Sequence, residues 1–134
     1  MPNPFQFDQT ELRVRYGETD QMGIVYYGKY AEYCEVGRVE WLRKFGISYK
    51  EMEDSGIILP VRSLSINFKK PARYDDLLLI KTKLQKIPVY TIDFYYEICN
   101  ENDEILTTAE TSLVFMDRKK NRPVKCPDYI LKNL

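Results

Sequence analysis

The chain has no histidine in its 134 residues. Serine or cysteine nucleophiles activated by imidazole are therefore excluded, and so are histidine-ligated metal sites. Cysteine is scarce: Cys34, Cys99 and Cys126 are an odd count without CxxC spacing. That pattern fits reduced structural thiols in a cytoplasmic protein better than a disulfide framework. Charge of one sign is lacking too, since 20 Lys+Arg stand against 20 Asp+Glu, and no global field draws the chain to nucleic acid or anionic lipid. No apolar run approaches the ~20 residues of a bilayer span, and the N-terminus lacks the basic-then-apolar pattern of a signal peptide. If such a chain does chemistry, a carboxylate assisted by backbone donors at a helix start is the machinery that suits it best. One residue type is abundant: eleven tyrosines, gathered in the first loop and helix and in Tyr90–Tyr96, where they suit a pocket or a subunit interface.

The length suits one domain over residues 1–134 with a core of its own. Met1–Gln9 reads as a short arm. Thr10–Tyr16 alternates as a strand, with Leu12, Val14 and Tyr16 on one face. Gly17 to Gly28 is a glycine-containing loop that carries Asp20. Over Lys29–Phe45 the period becomes helical: Tyr30, Tyr33, Cys34, Gly37, Trp41, Leu42 and Phe45 share a stripe, while Lys29, Glu32, Arg38, Arg43 and Lys44 lie mostly elsewhere. Gly37 costs about 1 kcal/mol in mid-helix; its place on the stripe predicts close approach to another backbone. Gly46 is placed as a C-cap residue, and Ser48-Tyr49-Lys50-Glu51 has the form of a capping box opening a short helix that ends near Gly56.

The remainder reads as sheet. Leu59–Phe68 places Leu64, Ile66 and Phe68 on one side and Val61, Ser63, Ser65 and Asn67 on the other. After a turn at Pro71–Asp76 come strands over Leu77–Ile87, Val89–Asn100 and Glu104–Asp117, the last two joined by Glu101-Asn102-Asp103. Strand, long helix, then consecutive antiparallel strands predict an α+β domain with one helix packed on a curved sheet.

Three segments carry a family resemblance: Arg13–Tyr27, with Tyr16-Gly17-Glu18-Thr19-Asp20-Gln21-Met22-Gly23-Ile24-Val25-Tyr26-Tyr27 at its centre; the helix Tyr30–Leu42; and the turn Pro71–Leu77. Together they resemble the acyl-CoA thioesterases of the hot-dog fold, in the 4-hydroxybenzoyl-CoA thioesterase and YbgC-like branch. The resemblance implies a long central helix wrapped by a five-stranded antiparallel sheet. It also implies active sites at the interface of a homodimer, often doubled to a homotetramer.

The residues alone leave two readings of Asp20, a turn-shaping side chain or a catalytic carboxylate. The resemblance assigns it catalysis of thioester hydrolysis, as nucleophile or as general base on a water. It places the backbone amide of Tyr27, at the helix entrance, as oxyanion donor, where unpaired N–H groups carry partial positive charge. It sets Gly23, Val25, Tyr26 and Gly28 around the substrate. Ser63, Ser65 and Asn67 form a polar strip with two readings: lining the acyl pocket from the opposing subunit, or facing solvent. Many YbgC-like chains have histidine where this one has Tyr26-Tyr27, and Lys29 replaces a commoner asparagine; both departures leave the acyl group open. Glu35, which pairs with Arg38 at i,i+3, is the fallback carboxylate. Arg62, Lys69, Lys70 and Arg73, and Arg118, Lys119, Lys120 and Arg122, are candidate cations for CoA phosphates, while Asp93 is a candidate interface carboxylate. No metal or redox cofactor is expected, since coenzyme A is part of the substrate. The rival readings are an acyl-carrier-protein thioesterase and a silent acyl-CoA-binding hot-dog protein. A hot-dog dehydratase would need the histidine that is missing.

Overall fold

Close packing of one helix against one strand organises the molecule, and a glycine makes it possible. The computed structural model describes residues 2–134. After β1 (Asp8–Arg13) and a loop comes the long helix α1 (Lys29–Lys44), then α2 (Tyr49–Asp54), β2 (Ile57–Ile58), β3 (Val61–Phe68), β4 (Leu77–Leu84), β5 (Thr91–Cys99) and β6 (Ile105–Val114). Two short strands, β7 (Met116–Asp117) and β8 (Arg122–Pro123), and a final turn of helix, α3 (Asp128–Leu131), complete it. The five long strands form one antiparallel sheet in the order β1-β4-β5-β6-β3, which α1 crosses against β4. This is the hot-dog arrangement that the resemblance implies.

A Cβ built on Gly37 would lie 2.5 Å from Thr82 Oγ1 and 2.7 Å from Ile80 Cγ2, so only glycine lets α1 sit this close to β4. Tyr33, Cys34, Trp41 and Leu42 on the same stripe are buried against Ile80, Phe94 and Tyr96. The helix ends as Gly46 predicts. With φ +75 there, Gly46 N–H donates to Arg43 O at 2.9 Å and Ile47 N–H to Leu42 O at 2.8 Å, the paired bonds of a Schellman stop. Ser48 caps α2 by accepting from the Glu51 amide.

Several expectations need correction. The first strand ends at Arg13, not Tyr16: Val14 is buried, but Tyr16 begins a short 3-10 turn (Tyr16–Glu18) and its ring is exposed. The long strands are trimmed, and Glu104–Asp117 breaks at Phe115 into β6 and β7. Arg38, expected off the buried stripe, is 7% exposed, under Tyr49 and beside Tyr96. Within the chain, Asp93 of β5 pairs with Lys86 at 3.2 Å and accepts from Thr91 Oγ1 at 3.2 Å, contacts that bear on no partner subunit. The part of the expected arm formed by Met1 lies outside the described residues.

Candidate active site

The loop between β1 and α1 is a small hairpin held on three sides. Thr19 bridges Val25, and Ile24 bridges Arg73. Val25 N–H donates to Ala72 O at 2.8 Å, and Asp20 N–H to Ile24 O at 2.8 Å. Its tip is the turn Asp20–Gly23, closed by Gly23 N–H on Asp20 O at 3.0 Å. Gly23 takes φ +79, which a side chain would resist.

Within that turn, Asp20 Oδ1 accepts from the Met22 amide at 2.9 Å and from the Ile24 amide at 3.5 Å. Among the described residues Oδ2 has no protein partner. The turn-shaping role and a chemical role therefore coexist on one carboxylate: one oxygen is anchored and the other is available. At the far side of the loop the chain enters α1 through Gly28, and the first helical amides are already used. Lys29 N–H donates to Tyr26 O at 2.9 Å and Tyr30 N–H to Tyr27 O at 3.3 Å. The Tyr27 amide donates to no protein acceptor among the described residues, so an oriented N–H is left at the helix entrance.

Asp20 and Tyr27 line one cavity of about 300 Å³, with Met22, Ile24, Val25, Tyr30, Phe68 and Pro71 as its apolar walls and Lys69 and Lys70 also lining it. Tyr30 and Phe68 meet edge to face, their ring centroids 5.2 Å apart, and burial pushes the Tyr30 phenol above its ordinary pKa. The strand β3 delivers Phe68, and the following Lys69 and Lys70 amides bond Leu106 O at 2.9 and 3.0 Å. That holds the turn Pro71–Asp76 over the loop.

The other expected site residues lie outside this lining. Gly23 forms the turn, and the Tyr26 ring folds back over Gly28, 2.7 Å from where a Cβ would stand. Ser63 and Ser65 are exposed on β3, in register with Ser112 and Glu110 of β6. Of the first basic group, Lys69 and Lys70 reach the cavity; Lys70 pairs with Glu104, and Arg62 donates to Ser112 Oγ at 2.9 Å. The second basic group sits around the β7–β8 hairpin, beyond the far end of β6. Glu35, exposed on α1, stands 4.0 Å from Arg38 and lines other surface cavities. Met22, Ile24, Tyr30, Phe68 and Pro71 carry no local signal as cavity walls, because they converge from three separate segments.

The thioesterase-like superfamily model matches residues 14–134. The chain belongs to that superfamily. It is 31% identical over 120 residues to the acyl-CoA thioester hydrolase YbgC of Escherichia coli, covering 90% of each chain. It is 35% identical over 126 residues to the chloroplastic acyl-acyl carrier protein thioesterase ATL3 of Arabidopsis thaliana, covering 93% of this chain and 66% of that one. Among solved structures, a DHNA-CoA thioesterase from Staphylococcus aureus superposes with TM-score 0.89 at 37% identity, over 94% of this chain and 85% of that one. The superfamily match begins at Val14, so it takes in the whole Asp20 loop and α1.

Proposed function

We propose that this chain hydrolyses acyl-CoA thioesters at the cavity between the Asp20 loop and the end of β3, with Asp20 and the Tyr27 amide as its working groups. The single observation that carries this reading is their convergence: Asp20, with one carboxylate oxygen free, and Tyr27, whose amide at the helix entrance is unpaired, line one largely apolar cavity. The acyl group enters among Tyr30, Phe68, Ile24 and Val25. The carbonyl oxygen takes the Tyr27 N–H, which, with the α1 dipole behind it, stabilises the negative charge that builds there. The free oxygen of Asp20 either attacks the carbonyl carbon, giving a mixed anhydride that water opens, or takes the proton of an attacking water. In both routes the C–S bond breaks, and the products are the free acid and coenzyme A. Neither route calls for a resident metal or redox cofactor.

The aromatic walls and the edge-to-face pair Tyr30–Phe68 favour an aromatic or mid-sized acyl group, in keeping with the S. aureus relative. Lys69 suits the pantetheine-phosphate side of the substrate. We also place the working form as a cytoplasmic homodimer, joined edge to edge through β3 and open to doubling into a homotetramer. The β3 edge is unpaired in one chain, and its Val61, Leu64 and Phe68 are 47%, 45% and 53% exposed, an edge that needs covering. Antiparallel pairing of two β3 strands would bring the start of the partner's β3, with the partner's Ser63, towards the Phe68 end of this chain.

The test is thioester cleavage on a panel of aliphatic and aromatic acyl-CoAs, wild type beside Asp20→Asn, with enzyme-only blanks for the protein's own thiols. Loss of kcat by about 10²–10⁴-fold in the variant is expected, with the fold retained. Unchanged turnover would remove Asp20 from the mechanism. The similarity to ATL3 favours one second reading, a carrier-protein thioesterase, which would cleave the same acyl group faster on carrier than on coenzyme A. Tight acyl-CoA binding by the wild type without turnover on either carrier would mark a silent binding protein.

A further inference from the structure

Glu18 is a carboxylate 9% exposed, two residues before Asp20, and the chemistry above makes no use of it. Its Oε1 accepts from the Arg15 amide at 2.8 Å and from the Tyr33 hydroxyl at 3.1 Å. Its Oε2 accepts from the Arg15 guanidinium at 3.4 Å. Its backbone carbonyl accepts from the Tyr26 amide at 2.9 Å, and its own amide donates to Arg15 O at 3.0 Å. One residue thus ties the entry of the loop, the exit of the loop and the second turn of α1. Burial, and next the nearby Glu18 carboxylate, hold the Tyr33 phenol well above its ordinary pKa, so the phenol keeps its proton and remains a donor.

We infer that Glu18 is a positioning residue for thioester hydrolysis: clamped to Tyr33 of α1, it sets the separation between the Asp20 carboxylate and the Tyr27 amide. The connectivity is short on both sides. Asp20 follows Glu18 by two residues, and Tyr27 follows Tyr26, whose N–H is held by the Glu18 carbonyl. A buried carboxylate is costly unless its acceptor sites are filled, and here they are filled by Arg15 at the loop entry and Tyr33 on α1, so the side chain joins loop to helix. Reacting groups displaced by about 1 Å can lose about 10²-fold in rate, so a clamp of this kind is visible in kcat before it is visible in binding. The inference rests on the proposed function; the test separates the two.

The variants are Tyr33→Phe, which removes one strut and leaves the core volume; Glu18→Ala; Glu18→Gln; and the Glu18→Ala/Tyr33→Phe double variant. Tyr33→Phe should lower kcat by about 10-fold and Glu18→Ala by about 10²-fold, with KM within about twofold. The double variant should be no slower than Glu18→Ala, because both act through one contact. Glu18→Gln, whose single amide oxygen can serve both Arg15 N–H and Tyr33 O–H, should recover most of the rate. Amide hydrogen exchange is read on the same proteins: in Tyr33→Phe the Glu18 and Tyr26 amides should exchange faster while the β5 amides do not change. Unchanged kcat in Tyr33→Phe, additive losses in the double variant, or a KM effect without a kcat effect would overturn the inference. If Glu18→Ala fails to fold, Tyr33→Phe and Glu18→Gln still decide it. If the wild type cleaves no thioester, the proposed function fails, and exchange alone decides whether the clamp exists: unchanged Tyr26 exchange in Tyr33→Phe would remove it.

Discussion

β3 and β4 are both eight-residue strands of the same sheet, and both present Leu and Ile at alternate positions. Their fates differ. In β4 every second side chain (Leu78, Ile80, Thr82, Leu84) is fully buried, whereas in β3 the corresponding Leu64 and Phe68 stay exposed and only Ile66 is half-covered. Alternation decides which face a side chain takes; it does not decide whether anything lies on that face. Over β4 lies α1, drawn in by Gly37. Beside β3 the sheet ends, and its inner face runs past the helix to the cavity and the unpaired edge.

Substitutions that treat the two strands alike should give unlike results. Ile80→Ala, at the centre of the covered strand, should cost about 2–5 kcal/mol of folding stability, read by denaturant unfolding. Gly37→Ala should cost about 1–3 kcal/mol, because the added methyl must displace β4 or the helix; a neutral result would mean that α1 does not approach β4 as closely as the contact distances require. Leu64→Glu, on the uncovered strand, should cost under about 1 kcal/mol in folding at low protein concentration, yet split the proposed β3-edge dimer in sedimentation or size-exclusion measurements. A fully monomeric wild type would instead leave the β3 edge to some other cover.

The smallest expected effect concerns the thiols. Burial pushes the Cys34 and Cys126 thiols from about 9 up to about 12. A group whose folded-state pKa is raised stays protonated in the native state while the unfolded chain gives up its proton. Stability therefore falls as pH rises from about 9 towards 12, and below 9 these groups contribute no slope. The same burial should leave both thiols slow towards disulfide reagents at pH 8 until the chain is unfolded, which also keeps the enzyme-only blank of the thioesterase assay low.

Much of this was legible in advance because it is written in local pattern. The helix over Lys29–Phe45, its stop at Gly46, the close approach at Gly37 and the cap at Ser48 follow from helical periodicity and from backbone conformations that few residues adopt. The antiparallel run follows from alternation punctuated by turns. Asp20 and Tyr27 were singled out by their motif, and they do line one cavity. Two positions depart from the local pattern, each for its own reason. The spacing of Tyr16 predicts a strand face, but the Glu18 carboxylate accepts from the Arg15 amide and the chain winds into a 3-10 turn there. The charge of Arg38 predicts the polar side, yet its stem packs in the interior and its Nε donates to Tyr49 Oη at 3.4 Å.

The sequence by itself determined the element order, the covered stripe of α1 and the residues able to do chemistry without histidine, since these depend on propensity, period and functional groups. Only the tertiary structure decided that Phe68, Tyr30 and Pro71 share a wall and that Asp20 keeps one oxygen free. It alone made Glu18 the tie between loop and helix, and left β3 bare while covering β4. Apart from the Asp20 turn, whose bonds are local, each of these depends on contacts between segments distant in the chain, and no local pattern encodes those.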